Sequence, residues 1–357
     1  MRGQSSCVTG KNMEKVLSFV VPSYNSERFL DTIIPSFLEA SVIDKLDIII
    51  VNDGSTDNTI PKAEGYVKMY PDSVRLINQE NKGHGGALNT GLSNAKGKYV
   101  KVIDADDWVV TKNLPSFIEK LEKIDSDVIL THHYTINIGN GNEKKKWMSY
   151  PEKFEVPYTF EQIMSNWKSF DRSLTFHGIT YNTKFYQDNC MQLSEHVFYE
   201  DHEYATVPCC VANSITPIDM FIYCYRIGDV EQSVSNVNQL KRIGHTEAVL
   251  KRLISEYPNR DFKTDAQKRY YCMKAQGLLM SYLTTVLLVE KDRKKGRAMA
   301  ENLMNEFHEK LPLTYDMAVK QYKVFKMMNS MHIDKDGWEK ISHSAIYNKL
   351  RGNHSFD

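Results

Sequence analysis

The chain has 357 residues, of which 41% are hydrophobic and 25% are charged, and these values fit a globular protein with one large or two smaller domains. Lysine plus arginine and aspartate plus glutamate both number 45, so the zero formal charge excludes a broad electrostatic attraction to nucleic acid. The six cysteines form no CxxC pair, which argues against a zinc site or a disulfide framework and favours reduced cysteines.

Neither the N-terminus nor the most apolar segment predicts a membrane span. Residues 1–15 lack an apolar core and are interpreted as an N-terminal extension, not as a signal peptide. The apolar segment 278–289 is too short to cross a bilayer, so it predicts a buried helix. We therefore expect a cytoplasmic protein, and docking at the inner face of the membrane stays open.

The segment 16–135 alternates short apolar runs, which predict strands, with stretches of helical periodicity. The strands are expected at 16–21, 46–51, 74–77, 99–103 and 128–131, and the helices at 26–40 and from Asp57, as N-cap, toward Tyr70. Strands separated by helices indicate an α/β fold with a mostly parallel sheet and helices on both faces. In such sheets, ligands bind beyond the carboxyl ends of the strands.

The rest of the chain divides into a mixed region and a helical one. Residues 136–150 contain two glycines and a run of three lysines, and predict a loop or a hairpin. The region 136–238 is mixed and rich in aromatic residues. Residues 239–357 form a mainly helical C-terminal region without a motif, with helices expected at 242–257, 264–289, 293–311 and 315–328. Acceptor binding, membrane-surface docking and self-association as a homo-oligomer all remain open for this region.

Polar residues follow three of the predicted strands, at the edge of the sheet where a ligand would bind. They form the segments 22–25, 52–57 and 104–108. Each segment alone is typical of a turn, because Asp, Asn, Gly and Ser favour turns. Three such segments at the same edge of one sheet predict a binding site.

Asp104 and Asp106 carry the most specific chemistry of the three segments. They flank one small residue after a buried strand, and alternation along an extended chain would put both carboxylates on the same side. Mg²⁺ and Mn²⁺ prefer oxygen ligands and commonly combine one or two carboxylates with substrate phosphates. The pattern therefore predicts a divalent-metal site for a diphosphate.

Four segments together resemble family 2 glycosyltransferases of the GT-A fold, of the bacterial surface-glycan type: 20–25, 51–57, 81–91 and 104–107. The resemblance covers residues 16 to about 235. It implies an inverting enzyme that needs Mn²⁺ or Mg²⁺ and transfers a sugar from a UDP-sugar to a hydroxyl of a glycan or lipid-linked acceptor. It also implies that 16–135 is the nucleotide-sugar-binding half of the domain and 136–238 the half with the acceptor site and the catalytic base.

The resemblance assigns donor-binding roles residue by residue. It places Pro22 and Tyr24 in the base pocket and Asp53 on the uracil edge. It places Asp104 near the ribose or the metal, and Asp106 as a ligand of the metal at the diphosphate. The remaining donor contacts implied within these segments are Asn25 and Ala105.

One segment departs from the family pattern. Many relatives carry an arginine within the stretch that corresponds to 85–89, and this chain has none there. Lys82 or His84 would supply the missing polar contact, and His84 as a plain surface residue is the alternative.

Asp201 is the candidate catalytic base. It lies in the segment 198–203, which resembles the family's Glu-Asp pair, although acidic residues also favour helix N-termini for electrostatic reasons. Glu200 would orient a neighbour or contact the acceptor, and His177 would contact the acceptor or be structural. The segment with Arg226 and Ser233 resembles the one that closes over the donor in this family. The resemblance implies that both residues contact the diphosphate, since a guanidinium suits phosphate geometry.

Three alternatives were weighed against this interpretation. A nucleotidyltransferase usually has a glycine-rich basic loop after its first strand, and residues 23–28 contain no glycine. A dehydrogenase would need GxGxxG at the same place. A non-catalytic nucleotide-sugar-binding partner protein would not need the intact pair Asp106 and Asp201.

Overall fold

The computed structural model describes residues 14–146, 148, 151–228 and 236–342. Within these residues nine strands form one sheet: β1 (Leu17–Ser23), β2 (Leu46–Asp53), β3 (Val74–Gln79), β4 (Tyr99–Val102), β5 (Trp108–Val109), β6 (Val128–Asn137), β7 (Glu143–Lys146), β8 (Ile179–Asn182) and β9 (Ile215–Ile227). The N-terminal extension of residues 1–15 falls almost wholly outside the described residues.

The strand order is β3-β2-β1-β4-β8-β6-β9-β5, and β7 pairs with β6. Strands β1 to β4 run parallel to one another, and β6 runs parallel to β9. The short strand β8 is antiparallel to both of its neighbours and joins these two parallel groups. The expected mostly parallel sheet is confirmed, with its carboxyl-end edge formed by residues that follow β1, β2 and β4.

Helices cover both faces of the sheet, which explains why the inner strands are buried on both sides. Val20 and Ile49 pack in one hydrophobic core, whereas Phe19 and Ile48 pack in the other. The helices of this part of the chain are α1 (Glu27–Phe37), α2 (Thr59–Met69), α3 (Gly83–Ser93), α4 (Leu114–Lys123), α5 (Phe160–Ser165), α6 (Trp167–Phe170), α7 (Thr183–Asn189) and α8 (Asp201–Thr206).

A helical region follows the sheet, as expected. Its helices are α9 (Asn236–Lys241), α10 (Ile243–Glu256), α11 (Asp265–Thr284), α12 (Arg293–Lys310), α13 (Pro312–Ser330) and α14 (Lys335–Ser342). A π-helical segment, Thr285–Val289, continues α11 without a break.

Helix α11 is the central helix of this region. It packs against α10 and α13, and also against α5 and α8 of the sheet-bearing part of the chain. Tyr270 on α11 donates a hydrogen bond to the carbonyl of Ala205 on α8 at 2.7 Å. Together with the π-helical segment, α11 is long and apolar enough to cross a membrane, but 56% of its apolar window is buried inside the protein, as in a core helix.

Two local expectations were wrong, and one was left open. Helix α1 ends at Phe37 and not at residue 40, and residue 58, not Asp57, precedes α2. Asp57 still serves the start of α2, because its carboxylate accepts a hydrogen bond from the backbone N–H of Thr59 at 3.0 Å. Of the two alternatives for 136–150, the hairpin is observed: β7 pairs antiparallel with β6 and carries the three lysines on an exposed edge.

Candidate active site

The polar segments after β1 and β2 are tied together by hydrogen bonds. The side-chain oxygen of Asn25 accepts from the backbone N–H of Thr56 at 2.8 Å. Asp57 accepts from the backbone N–H of Glu27 at 3.0 Å. Asn25 has a positive φ of 48°, which asparagine tolerates better than most residues. These contacts fix the two strand ends side by side.

Asp53 lies at the end of β2 and is almost fully buried. Its Oδ1 accepts hydrogen bonds from the Gln79 side-chain amide at 2.7 Å and from the backbone N–H of Lys82 at 2.8 Å. Asp53 therefore holds the start of α3 against the sheet.

A cluster of three carboxylates follows β4. The cluster consists of Asp104, Asp106 and Asp107. Each contributes one carboxylate oxygen, and these three oxygens all lie within 4.8 Å of one another. The chain is not extended here, as the sequence had suggested, but forms a turn in which the N–H of Asp107 donates to the carbonyl of Asp104 at 3.0 Å. Asp104 and Asp106 lie close together as predicted, but the turn is the reason. The turn also brings Asp107 into the cluster, which strand alternation would have placed on the opposite side.

Burial and neighbouring charges raise the pKa of two of these carboxyl groups, those of Asp106 and Asp107. Burial, with a smaller effect of the Asp104 charge, raises the pKa of Asp106 to about 6. The same two causes, with the charge of Asp106 added, hold the pKa of Asp107 well above its usual value. A positive charge at this cluster would relieve the repulsion.

Asp107 is already engaged by protein groups. Its Oδ2 accepts from the Tyr223 hydroxyl, and its Oδ1 accepts from the backbone N–H of Arg226 at 2.7 Å. The Arg226 guanidinium lies 5.0 Å from the ring centroid of Phe29. Asp107 therefore fastens β9 to the turn. Asp106 and the second carboxylate oxygen of Asp104 are left to face a ligand, since Asp104 Oδ1 contacts His84.

These residues fit a hard divalent cation. The donor set consists of carboxylate oxygens, which Mg²⁺ and Mn²⁺ prefer, and no histidine or cysteine belongs to the cluster in the described part of the chain. A bound cation would favour the ionised form of Asp106.

His84 connects the carboxylate cluster to the segment with the candidate base. Its Nε2 lies 3.0 Å from Asp104 Oδ1, and its Nδ1 lies 2.5 Å from Glu200 Oε1. Burial alone would lower the pKa of His84, but the two carboxylates outweigh it and hold this pKa well above the usual value. His84 is therefore part of the site, not the plain surface residue that the sequence left as an alternative.

The segment before Asp201 is held in a strained conformation. His196 and Tyr199 have positive φ values of 56° and 76°, which are uncommon for residues with a side chain. Glu203 fixes this segment from α8 by accepting from the Ser194 hydroxyl at 2.6 Å. Asp201 is the first residue of α8, so the helix-terminus and the catalytic interpretations of its sequence position are compatible.

One cleft of about 650 Å³ opens between the carboxyl-end edge of the sheet and the C-terminal helices. It brings together most of the residues predicted from the sequence: Pro22, Tyr24, His84, Asp104, Ala105, Asp106, His177, Glu200 and Asp201. The His177 ring packs 4.4 Å from the Tyr225 ring, and burial lowers the pKa of His177 to about 4. His177 is therefore a neutral wall residue near neutral pH.

The remaining predicted residues do not line this cleft. Asn25, Asp53, Lys82 and Arg226 make the contacts given above and are not among the residues that line the cleft. Ser233 lies outside the described residues.

The sequence missed the part of the cleft wall formed by the C-terminal helices and by the segment before Asp201. These residues are Phe198, Tyr199, Gln239, Arg242, Thr246, Leu278, Ser281 and Thr285. On helices, such residues have the spacing of an ordinary amphipathic surface, so no local signal marks them.

A parallel sheet with a carboxylate turn after β4, facing a cleft that contains a Glu-Asp pair, defines a GT-A-like glycosyltransferase domain. The family model described as Glycosyl transferase family 2 matches residues 18–183. The part of the chain that contains β1 to β4 and the carboxylate turn is therefore similar to this family.

Relatives and solved structures agree with this assignment. The glycosyltransferase GlyG of Streptococcus pneumoniae serotype 4 is 34% identical over 131 residues, which cover 36% of this chain and 43% of GlyG. The cholesterol galactosyltransferase of Borreliella burgdorferi is 24% identical over 292 residues, 78% of this chain and 80% of that protein. The chain spans less than half the length of GlyG and of several other curated relatives that it matches.

The crystal structure of S. aureus TarS residues 1–349 in complex with UDP has the same fold. It superposes with a TM-score of 0.63 at 16% identity, and the match covers 96% of this chain and 93% of that chain. The match therefore includes the C-terminal helices as well as the sheet.

Proposed function

We propose that this protein transfers a sugar from a UDP-sugar to a hydroxyl group of an acceptor, with inversion at the anomeric carbon and with Mn²⁺ or Mg²⁺ bound. The single observation that carries this proposal is the meeting of the Asp104–Asp106 turn and Asp201 in one cleft. A reaction at a diphosphate-linked sugar needs a cation site and a base in the same space.

The donor would lie along the carboxyl-end edge of the sheet. Tyr24 is 54% exposed at the mouth of the cleft, where its ring can cover a nucleobase. Asp53, at the end of the neighbouring strand, would accept a hydrogen bond from the uracil N–H. Structures of the similarly folded TarS contain UDP and UDP-GlcNAc, which supports a uridine nucleotide as the first ligand to test.

Asp104 and Asp106 would hold the metal ion. The bound cation would neutralise the charge that builds up on the departing diphosphate. Asp107, fastened by Tyr223 and Arg226, would keep the turn in place while the donor binds and leaves.

Asp201 would act as the general base. Within the described part of the chain, its carboxylate makes no hydrogen bond or ion pair, so it is free to accept a proton. The acceptor oxygen would attack the anomeric carbon as the bond to the diphosphate oxygen breaks, and the acceptor proton would pass to Asp201. Direct attack from the opposite face gives inversion.

Calorimetric titration of UDP with and without Mn²⁺, on the wild type and on Asp106→Asn, tests the donor site. We expect binding that requires both the metal and Asp106. Equal binding by both proteins with and without Mn²⁺ would remove the metal site from the proposal. Absence of UDP binding under every condition would reject UDP as the donor nucleotide.

A further inference from the structure

One wall of the cleft is built by helices rather than by the sheet. Arg242 immediately precedes α10, Thr246 follows one turn later, and Ser281 lies on α11. Ser281 is exposed although its neighbour Tyr282 is buried in the helical core, so it faces the cleft from an otherwise packed helix. Thr285, where the π-helical segment begins, completes this wall. Single π-helical turns occur frequently at functional sites.

Arg242 lines the cleft and forms no ion pair with any residue in the described part of the chain. Its guanidinium carbon lies 3.6 Å from the ring centroid of Phe198, a stacking contact that fixes the plane of the group. Its Nη1 atom is shielded from solvent, and within the described residues it has no hydrogen-bond partner. Arg252, on the helix that Arg242 precedes, pairs instead with Glu256 at 3.2 Å.

A second unpaired donor lies beside it. The Tyr199 hydroxyl is also buried and, among the described residues, has no hydrogen-bond partner. Buried donors in proteins are nearly always hydrogen-bonded, so a ligand that reached these two groups would satisfy them. The ligand must bring acceptor atoms, because a guanidinium can only donate.

The position of these donors relative to Asp201 bears on which ligand they face. Phe198 and Tyr199 belong to the segment that leads directly into Glu200 and Asp201, the side of the cleft where an acceptor hydroxyl must approach the base. The donor's diphosphate, in contrast, is expected at the Asp104–Asp106 turn. Arg242 therefore lies with the acceptor side of the site.

We propose that the wall formed by Phe198, Tyr199, Arg242, Thr246, Ser281 and Thr285 is the acceptor subsite, and that the acceptor carries an anionic group, a phosphate or a carboxylate, that pairs with Arg242. This inference rests on the proposed transferase function. The guanidinium binds the anion through paired N–H groups, and the hydroxyl side chains along the two helices contact sugar or polyol hydroxyls. The acceptor is thus an acidic glycan or a phosphate-bearing polyol, not a neutral sugar.

The test compares three small probes on the protein saturated with UDP and Mn²⁺: glycerol phosphate, methyl glucuronide and methyl glucoside. Binding is measured by ligand-observed NMR. We expect at least one anionic probe to bind about tenfold or more tightly than the neutral glucoside. Whether the phosphate or the carboxylate binds more tightly identifies the source of the anion.

Arg242→Gln is the decisive variant, and Arg252→Gln, on the helix that Arg242 precedes, is the matched control. Arg242→Gln should reduce anionic-probe binding to the level of the glucoside and leave UDP binding unchanged, while Arg252→Gln should change neither. Equal binding of all three probes to the wild type, or no binding of either anionic probe, overturns the proposal. Loss of UDP affinity in Arg242→Gln would also overturn it, because it would place Arg242 at the donor.

The probes are measured without UDP as well, so that the two proposals fail separately. If the protein does not bind UDP but prefers anionic probes, and loses this preference in Arg242→Gln, the proposed donor is rejected and the anion subsite is kept. A wild type that binds UDP with Mn²⁺ but shows no anion preference would reject only the subsite. Ser281→Trp, which places a bulky ring on the cleft wall, should block probe binding while sparing UDP.

Discussion

His84 Nδ1 lies 2.5 Å from Glu200 Oε1, although 116 residues separate the two in the chain. The other ring nitrogen of His84 contacts Asp104. One imidazole thus links the carboxylate turn after β4 to the residue that precedes the candidate base. The histidine therefore lies between two acidic groups.

Removal of this link should disturb both stability and turnover. His84→Ala leaves the buried Glu200 carboxylate without its partner, at a cost of about 1–3 kcal/mol. Displacement of the adjacent Asp201 by about 1 Å would lower kcat by about 10²-fold. Thermal unfolding and steady-state kinetics measure the two effects.

His308→Ala is the control for this prediction, because its ring packs on Tyr315 in the helical region. It should leave kcat unchanged. His84→Gln, which can keep one of the two hydrogen bonds, should retain part of the activity. A His84→Ala protein with normal kcat would show that the link is dispensable.

Asp201→Asn should separate chemistry from donor binding. An amide cannot take up the acceptor proton, so we expect transfer to fall by about 10²- to 10⁴-fold. The proposed contacts of the metal and the donor involve other residues, so UDP affinity should stay nearly unchanged. Asp188→Asn is a matched control, since Asp188 forms a surface ion pair with Lys184 at 2.7 Å. Parallel loss of UDP binding in Asp201→Asn would contradict the separate roles.

The stabilisation by Mn²⁺ should depend on pH. Because burial raises the pKa of Asp106 to about 6, above its ordinary value, its contribution to the stability of the metal-free protein is lost as the pH rises through 6. A cation binds the ionised form of the Asp106 carboxylate. Above pH 6 this form is already present, so the cation binds without displacing a proton. The Mn²⁺-induced rise in unfolding temperature should therefore be larger at about pH 7.5 than at about pH 5.

Asp106→Asn isolates the group responsible for this pH dependence. Its unfolding temperature should respond weakly to Mn²⁺ at both pH values. A wild type with equal Mn²⁺ shifts at the two pH values would mean that Asp106 does not titrate in this range or does not bind the metal.

Gly91 should be far more sensitive to substitution than Gly65. A Cβ at Gly91 would lie 2.2 Å from Val20 Cγ1, so Gly91→Ala forces α3 away from β1 and should cost about 1–3 kcal/mol. A Cβ at Gly65 on α2 meets nothing within 4 Å. Gly65→Ala should thus stabilise the protein by about 0.5–1 kcal/mol through helix propensity. Denaturant unfolding compares the two, and similar effects would show that α3 adjusts freely.

Much of the fold could be predicted because its signals are local. The runs around Val20 and Ile49 are apolar at every position, as strands buried on both faces must be, and the helices of the C-terminal region keep a helical period. The turn after β4 shows the limit of such reasoning. Asp104 and Asp106 were found from their position at a strand end, but the reason given for their proximity was wrong, because a turn and not strand alternation brings them together.

The sequence by itself determined the order of the strands and helices, and the acidic and polar residues at the strand ends, because those features depend on neighbours within a few positions. Only the tertiary structure decided that His84 joins Asp104 to Glu200 and that Arg242 enters the cleft beside Phe198. These contacts join residues distant in the chain through the packing of α8, α10 and α11 against the sheet. A single residue on an amphipathic helix carries no mark of which partner that packing will bring to it.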